Sequence, residues 1–209
     1  MKLLSAGMLL LFGCGAMNAT IIFTVGNNPQ TGEENVLFNL PGLTAGPATT
    51  VTGETQTTNF LVNFTSNENL VTPSDGQARV EGADGDFTLL GINLGTNTFT
   101  DIIFNLNTVN AIAGIATISV TEASGPGGSF DLPVAAGSNF LTVTVADSEL
   151  ITGVNISSTT QINDIRQTRI SGAGGGSIQS TPEPATLAMT GLGLLGLGIY
   201  GRRRRQRRF

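Results

Sequence analysis

The sequence predicts an all-β domain, a single antiparallel β-sandwich of jelly-roll type, between an N-terminal signal peptide and a C-terminal transmembrane helix. Short runs of β-branched and aromatic residues alternate with turns rich in Gly, Asn, Ser and Pro. Outside the C-terminal tail, no long stretch shows helical periodicity, and no internal repeat of fixed length is present. Many short strands separated by turns are typical of sandwiches and barrels.

Turn-forming residues separate the predicted strands. Three polar or glycine-rich segments are predicted as loops, at residues 44–57, 67–76 and 124–128, the last of them fit for a hairpin tip. The strands are predicted at residues 20–25, 35–40, 59–65, 77–81, 87–94, 98–106, 114–121, 129–134, 139–146, 150–157 and 162–170.

The strand at residues 98–106 carries the clearest alternation. Ile102, Phe104 and Leu106 lie on one face, which we expect to be buried. Ile103 points to the other face, so burial of both Ile103 and Phe104 would place this strand between two layers.

Residues 1–19 have the pattern of a secretory signal peptide, with Lys2 before a short apolar core and small residues after it. We expect cleavage after Ala19. The alternative is a lipobox-like segment that ends at Cys14, in which Cys14 would become a lipidated N-terminus. Either alternative makes an exported bacterial protein.

Negative charges predominate in the predicted passenger domain, residues 20–170. It contains three arginines and fourteen of the acidic residues, so its net charge is 3 − 14 = −11, which disfavours nucleic acid as a partner. Cys14 is the only cysteine and there is no histidine. Triads with His or Cys and His-ligated zinc sites are therefore excluded, and we expect no enzymatic activity.

One acidic cluster is a candidate metal site. Glu81, Asp84 and Asp86 provide oxygen ligands at i, i+3 and i+5 in a glycine-containing segment, as a weak Ca²⁺ site could. The favoured alternative is a hairpin turn that uses Asp84-Gly85 for its geometry. We therefore expect no cofactor.

Two arginines near the end of the domain have a similar pair of interpretations. Arg166 and Arg169 follow Asp164 and could form an anion site, but we expect them to lie on a last strand and to neutralise neighbouring carboxylates across the sheet. Asn155 begins an Asn-Ile-Ser glycosylation pattern, which carries little weight in a bacterium.

The tail contains three parts in a fixed order after a Gly/Ser-rich linker at residues 171–181. Pro182, Glu183 and Pro184 form an extended tripeptide, because each proline restricts its own φ and the residue before it. Residues 185–201 are an uncharged apolar run of about 17 residues, the lower limit for a membrane-spanning helix. A basic cluster follows, which the positive-inside rule keeps in the cytoplasm: Arg202, Arg203, Arg204, Arg205, Arg207 and Arg208.

This tail, about a seventh of the chain, resembles the PEP-CTERM sorting signal of bacterial exosortase substrates. The resemblance implies transit through the inner membrane of a Gram-negative-type cell, cleavage near Pro182-Glu183-Pro184 by an exosortase, and delivery to the cell surface or exopolysaccharide matrix. The same region is sometimes labelled an ice-binding protein C-terminal domain, but no residue here supports ice binding. We expect a structural or adhesive passenger; the alternative is a carbohydrate-binding module for exopolysaccharide.

Overall fold

Eleven strands and one short 3-10 turn make up the part of the chain that the computed structural model describes, residues 21–74, 78–146 and 149–174. Among these residues every strand pairing is antiparallel, so the all-β prediction is confirmed. None of their helices is long and apolar enough to cross a bilayer. The elements are β1 (Ile21–Val25), β2 (Glu34–Leu37), β3 (Ala48–Thr55), β4 (Leu61–Val71), β5 (Arg79–Gly82), β6 (Phe87–Asn93), β7 (Asp101–Thr108), the 3-10 turn (Val109–Ala111), β8 (Gly114–Glu122), β9 (Gly125–Val134), β10 (Asn139–Val145) and β11 (Ile151–Ser171).

The 21-residue strand β11 is the centre of the sheet. Its N-terminal half pairs with β6 and β8, and its C-terminal half pairs with β7 on one side and with β5 and β2 on the other. The strand order is β1-β10-β7-β11-β2-β3-β4-β5, with β6 between β4 and β11, β8 beside β11, and β9 beside β8. One core cluster takes side chains from β2 to β11, so the sheet folds over a single apolar interior.

Strand β7 is buried on both faces. The expected burial of Ile102, Phe104 and Leu106 is confirmed, and Ile103 on the opposite face is also inaccessible to solvent, so this strand lies between two layers. Thr142 pairs with Ile103 across the sheet. Its hydroxyl donates to the carbonyl of Gly26 at 2.9 Å and accepts the N–H of Asn28 at 3.1 Å. The segment after β1 therefore covers the second face of this strand.

The structure corrects all three predicted loops. Residues 48–55 form strand β3, β4 extends to Val71, and β9 already begins at Gly125. On the buried face of β3, Gly53 leaves space that the Val36 and Phe38 side chains occupy. Strand β11 is also continuous through residues 158–161, where the sequence predicts a break.

Asp84 and Gly85 do not form a hairpin tip. Strands β5 and β6 both run antiparallel to β4 and β11, so they run in the same direction as each other and cannot form a hairpin. Residues 83–86 loop out between them as an excursion from the sheet. Gly82 is required there, because a side chain on it would overlap the backbone of Asp86.

The two edge strands of the sheet contact each other through side chains. Among the described strands, β1 pairs only with β10, and β9 pairs only with β8. The rings of Phe23 in β1 and Phe130 in β9 stack with centroids 5.4 Å apart. Ile21 lies against Gly127, where no larger residue would fit. Each edge is thereby partly covered by the other.

Candidate functional site

The residues that carry the sorting prediction lie outside the described residues. These are the predicted cleavage residue Ala19, the alternative lipidation residue Cys14, the tripeptide Pro182-Glu183-Pro184, the apolar run 185–201 and the six arginines of residues 202–208. The described fold ends at Gly174, eight positions before Pro182.

The last four described residues, 171–174, are held against residues 98–101, and we call this arrangement the C-terminal clasp. Gly174 and Thr98 exchange backbone hydrogen bonds of 2.9 and 3.0 Å. Ser171 is 2 % exposed, and its hydroxyl donates to the Asp101 carboxylate. Gly172 has φ of +63°, and any side chain on it would overlap Thr100. The predicted linker at 171–181 is therefore four residues too long at its start.

Both ends of the described domain leave the sheet at the same end. The registers place four residues in one row across adjacent strands β1, β10, β7 and β11: Ile22, Thr144, Asp101 and Ser171. Three strand spacings of roughly 4.8 Å put the start of β1 about 14 Å from the end of β11.

The predicted Ca²⁺ ligands are not assembled into one ligand set. Glu81 lies in β5 and forms an ion pair of 2.9 Å with Arg79, whereas Asp84 and Asp86 lie in the excursion at residues 83–86. The excursion is fixed by its backbone: Ala83 N–H donates to the Asn69 carbonyl at 2.8 Å. Within the described part of the chain, no group of three or more His, Cys, Asp or Glu residues could hold a metal ion.

The arginines of the last strand are engaged by carboxylates. Arg166 donates to both oxygens of Asp164, which is 1 % exposed, and this bond raises the pKa of Arg166. Arg169 forms an ion pair of 3.0 Å with Glu33. Neutralisation is thus the observed role, although Asp164 is a partner along the same strand and not across the sheet.

The outer surface of six strands forms a continuous polar face that sequence reasoning missed. One row of paired residues crosses β3, β4, β6, β11, β8 and β9: Thr50, Thr65, Gly91, Asn155, Ser119 and Ser129. Asn155, the first residue of the glycosylation pattern, is exposed in this row. Alternation of Ser, Thr and Asn with apolar residues was the signal that could have located the face.

A shallow hollow of about 460 Å³ lies in this polar face. Gly91 forms part of its floor, and the Asn155 side chain lies close above that glycine. The lining residue Asn93 accepts the side-chain N–H of Asn63 at 3.1 Å and the backbone N–H of Gly95 at 2.9 Å, which fixes its amide. Uncharged polar side chains therefore line a preformed surface, beside Leu89, which is 42 % exposed.

Two glutamates have perturbed ionisation. Burial raises the pKa of Glu122, as does the nearby Glu149, and Glu122 Oε1 has no hydrogen-bond partner among the described residues. The pKa of Glu34 is lowered: burial opposes ionisation, but the backbone N–H groups of Thr58 and Thr57 outweigh it. Neither glutamate stood out in the sequence.

Comparison with known proteins identifies the tail. Residues 180–205 match the family model of the PEP-CTERM protein-sorting motif. The matched segment contains Pro182-Glu183-Pro184, the apolar run and the first four arginines of the cluster. The motif marks the chain as an exported protein that is processed at the membrane by an exosortase. No curated protein matches the chain.

Proposed function

We propose that this protein is a structural or adhesive component of the bacterial cell surface or extracellular matrix, released there when an exosortase cleaves its tail near Pro182-Glu183-Pro184. The sorting motif at residues 180–205 carries the proposal. The β-rich passenger with net charge −11 is suited to remaining dissolved outside the cell. In this proposal the passenger is a substrate of an enzyme and has no catalytic activity of its own.

The tail supplies the physical basis for processing. Each arginine costs about 2.5 to 3.5 kcal/mol at the centre of a membrane-spanning helix, so the cluster at residues 202–208 opposes further export. The apolar run then stops in the inner membrane, with the tripeptide at its outer boundary. The sequence favours an extended tripeptide, because each proline restricts its own φ, and the charge of Glu183 favours water, which would suit binding by a processing enzyme.

Fractionation tests the sorting step. In a host that contains the exosortase, wild type should lose its tail, whereas Glu183→Ala should remain full-length in the inner membrane with an unchanged fold. Serine at all six arginine positions should instead impair retention before processing. An exosortase-deletion host is the control. If wild type and Glu183→Ala both remain full-length in the exosortase-containing host, the tail is only a membrane anchor.

A second candidate function, binding of a neutral matrix polysaccharide, is favoured by the polar face. Its hollow carries amide and hydroxyl groups that both donate and accept hydrogen bonds, as sugar hydroxyls do. Its lining is uncharged although the passenger is strongly acidic, so a neutral chain fits better than a charged one. Leu89 offers a small apolar contact for the non-polar side of a sugar ring.

A glycan array probed with residues 20–180, with and without Ca²⁺, tests this second function. Gly91→Val would place a side chain against Asn155 inside the hollow while keeping a residue suited to strands, so binding should be lost and the fold retained. Gln161→Ala, an exposed change on β11 outside the hollow, is the matched control. If both variants bind glycans equally well, or if wild type binds none, the polysaccharide-binding proposal is wrong.

A further inference from the structure

We propose that the protein has a further binding site, a pocket beside the C-terminal half of β11 that takes one neutral sugar unit. The pocket has a volume of about 360 Å³. None of its described lining residues belongs to the hollow of the polar face, so the inference goes beyond the functions proposed above and does not depend on them. Three features carry it: a gap in the sheet, a buried hydroxyl without a partner, and a strained residue that keeps its side chain.

The pocket lies where the sheet divides. Strand β11 pairs with β5 up to Arg166 and with β2 from Arg169 onward, so Gln167 and Thr168 lie between these two partner strands. Strand β2 pairs with β11 through Glu34 and Asn35 only, and its next residues pair with β3. The divergence of β2 from β11 thus opens a pocket whose walls are the strands themselves.

Thr168 places an unused hydrogen-bonding group at this pocket. The residue is 4 % exposed and lines the pocket. Among the described residues, its hydroxyl makes no hydrogen bond. Buried polar groups normally have partners, because burial without one costs free energy. The Thr168 hydroxyl is therefore a group whose hydrogen bonds a bound ligand would complete.

Gln167 lines the same pocket and has a left-handed backbone conformation, with φ of +54°. Glycine is favoured at such a position, because a side chain there adds strain. Residues held in strained conformations cluster at ligand sites. The chain keeps an exposed glutamine here, and its amide can both donate and accept hydrogen bonds. The bulge thus presents an amide at the mouth of the gap.

Two other polar side chains of the lining are fixed by their neighbours. Arg169 forms its ion pair with Glu33 and donates to the side chain of Asn27. Asn35 donates to the Gln56 side chain at 3.1 Å, so its own carbonyl oxygen remains an acceptor. Because Glu33 balances the charge of Arg169, the pocket offers fixed donors and acceptors without a net charge.

These groups suit a neutral ligand that carries several hydroxyls. Sugar hydroxyls both donate and accept hydrogen bonds, as the amides and the threonine of the pocket do. The apolar side chains of Val36, Leu37 and Ala78 complete the described lining and suit the C–H side of a sugar ring. A carboxylate would have to compete with Glu33 for Arg169. Ligand pockets range from about 300 to 1,000 Å³, so a volume near the lower limit suits one sugar unit and not a long chain.

Saturation-transfer NMR on the full-length protein, in a detergent without a sugar headgroup, tests the site. The probes are glucose, galactose, mannose and N-acetylglucosamine, with glucuronate as the acidic counterpart. We expect wild type to bind at least one neutral sugar with a millimolar Kd, and to bind it more tightly than glucuronate.

Thr168→Val removes the hydroxyl and keeps the branched shape of the side chain. The sugar affinity should fall about fivefold or more, as expected for one lost hydrogen bond. The Tm should not fall, because the hydroxyl has no partner in the protein. Thr108→Val is the matched control, since the Thr108 hydroxyl is also buried without a partner but does not line the pocket. Its sugar affinity should equal that of wild type.

Gln167→Gly is an independent second variant. It removes the amide from the pocket while relieving the left-handed strain, so it should weaken sugar binding although the fold is retained. Gln161→Gly makes the same substitution on β11 outside the pocket and should leave the sugar affinity unchanged.

The outcomes separate this pocket from the polar face. The inference is wrong if wild type binds no neutral sugar, if glucuronate binds more tightly, or if either folded pocket variant binds as tightly as wild type. An equal loss in Thr108→Val or Gln161→Gly also overturns it, because the loss would then not be specific to the pocket. Sugar binding that Gly91→Val abolishes and the pocket variants retain would belong to the hollow of the polar face.

Discussion

The Oε2 atom of Glu34 accepts the backbone N–H of Thr58 at 2.8 Å, across 24 positions of the sequence. The same oxygen accepts the N–H of Thr57 at 2.6 Å, so one carboxylate holds the turn between β3 and β4. A charged acceptor at a turn stabilises two N–H groups that the sheet does not pair.

Glu34→Gln should therefore destabilise the passenger in a pH-dependent way. These N–H groups lower the folded pKa of Glu34 against the effect of burial, so its contribution is present at pH values above the unfolded pKa. It is lost as the pH falls through the folded pKa. We expect a loss of about 1 kcal/mol at pH 7, or roughly 2–4 °C in Tm, which allows for solvent screening.

Thermal unfolding of residues 20–180 at pH 7 and pH 3 measures this effect. The deficit of Glu34→Gln relative to wild type should shrink at the lower pH. Glu54→Gln, which removes the same charge from neighbouring β3, is the control. A deficit of equal size at both pH values would contradict a role for the charge.

Glu122→Gln should stabilise the passenger, the opposite of the effect expected for Glu34→Gln. Glu122 is 5 % exposed, and burial raises its folded pKa above the unfolded value, so the ionised group opposes folding at neutral pH. This penalty disappears as the pH falls through the folded pKa. The variant should melt a few degrees higher than wild type at pH 7, by about 1 kcal/mol, and the gain should narrow at about pH 4, below the unfolded pKa of a glutamate.

Calorimetry at the two pH values checks the Glu122 prediction. Glu149→Gln removes only the repulsion between the two glutamates and should give a smaller rise of the same sign. A lower Tm for Glu122→Gln at pH 7 would show that the carboxylate stabilises the fold.

Gln167→Gly should stabilise β11. Gln167 has φ of +54° and lies in a bulge where the pairing with β7 shifts between Arg166 and Arg169. A left-handed conformation costs a non-glycine residue about 1 kcal/mol or more, part of which glycine regains. Gln161→Gly, an exposed change on the same strand without a positive φ, should destabilise by roughly 0.5–1 kcal/mol. Urea unfolding of both variants measures the two changes in stability. Equal destabilisation by both would contradict backbone strain at Gln167.

EDTA should leave the Tm of residues 20–180 unchanged. Glu81 is engaged by Arg79, and Asp84 and Asp86 lie in an excursion fixed by backbone bonds. Calcium binding to the folded state at a hundred times Kd would add about 2.7 kcal/mol, a shift of several degrees. A shift of that size that Asp84→Asn abolishes would make the cluster a ligand set.

The sequence predicts strands well where one face is apolar and poorly where glycine or threonine fills the core. Strand β7 is located because Ile102, Phe104 and Leu106 alternate. Strand β3 is missed because Gly53 and Thr55 occupy its buried face, and their role depends on distant Val36 and Phe38. Burial of Ile103 depends on a segment more than seventy positions away, which no local pattern can reveal.

The candidate sites divide in the same way. The sorting motif is recognisable because its parts are contiguous between residues 182 and 208. The polar face is assembled from six strands, and the unpaired Glu122 depends on which residues the fold places around it. Such sites exist only after the chain has folded, so the spacing of residues along the sequence says little about them.

The row Ile22-Thr144-Asp101-Ser171 also determines how the domain responds to force. A pull between its two chain ends acts at one end of the sheet, so it separates β1 and β11 from their neighbours one hydrogen bond at a time. Strands loaded in this way unzip at low force, whereas strands pulled from opposite ends must break many bonds together. Since β11 pairs with five other strands, peeling begun at the clasp would dismantle the sheet from its centre. Any attachment that bears load through both ends would therefore make this passenger mechanically soft.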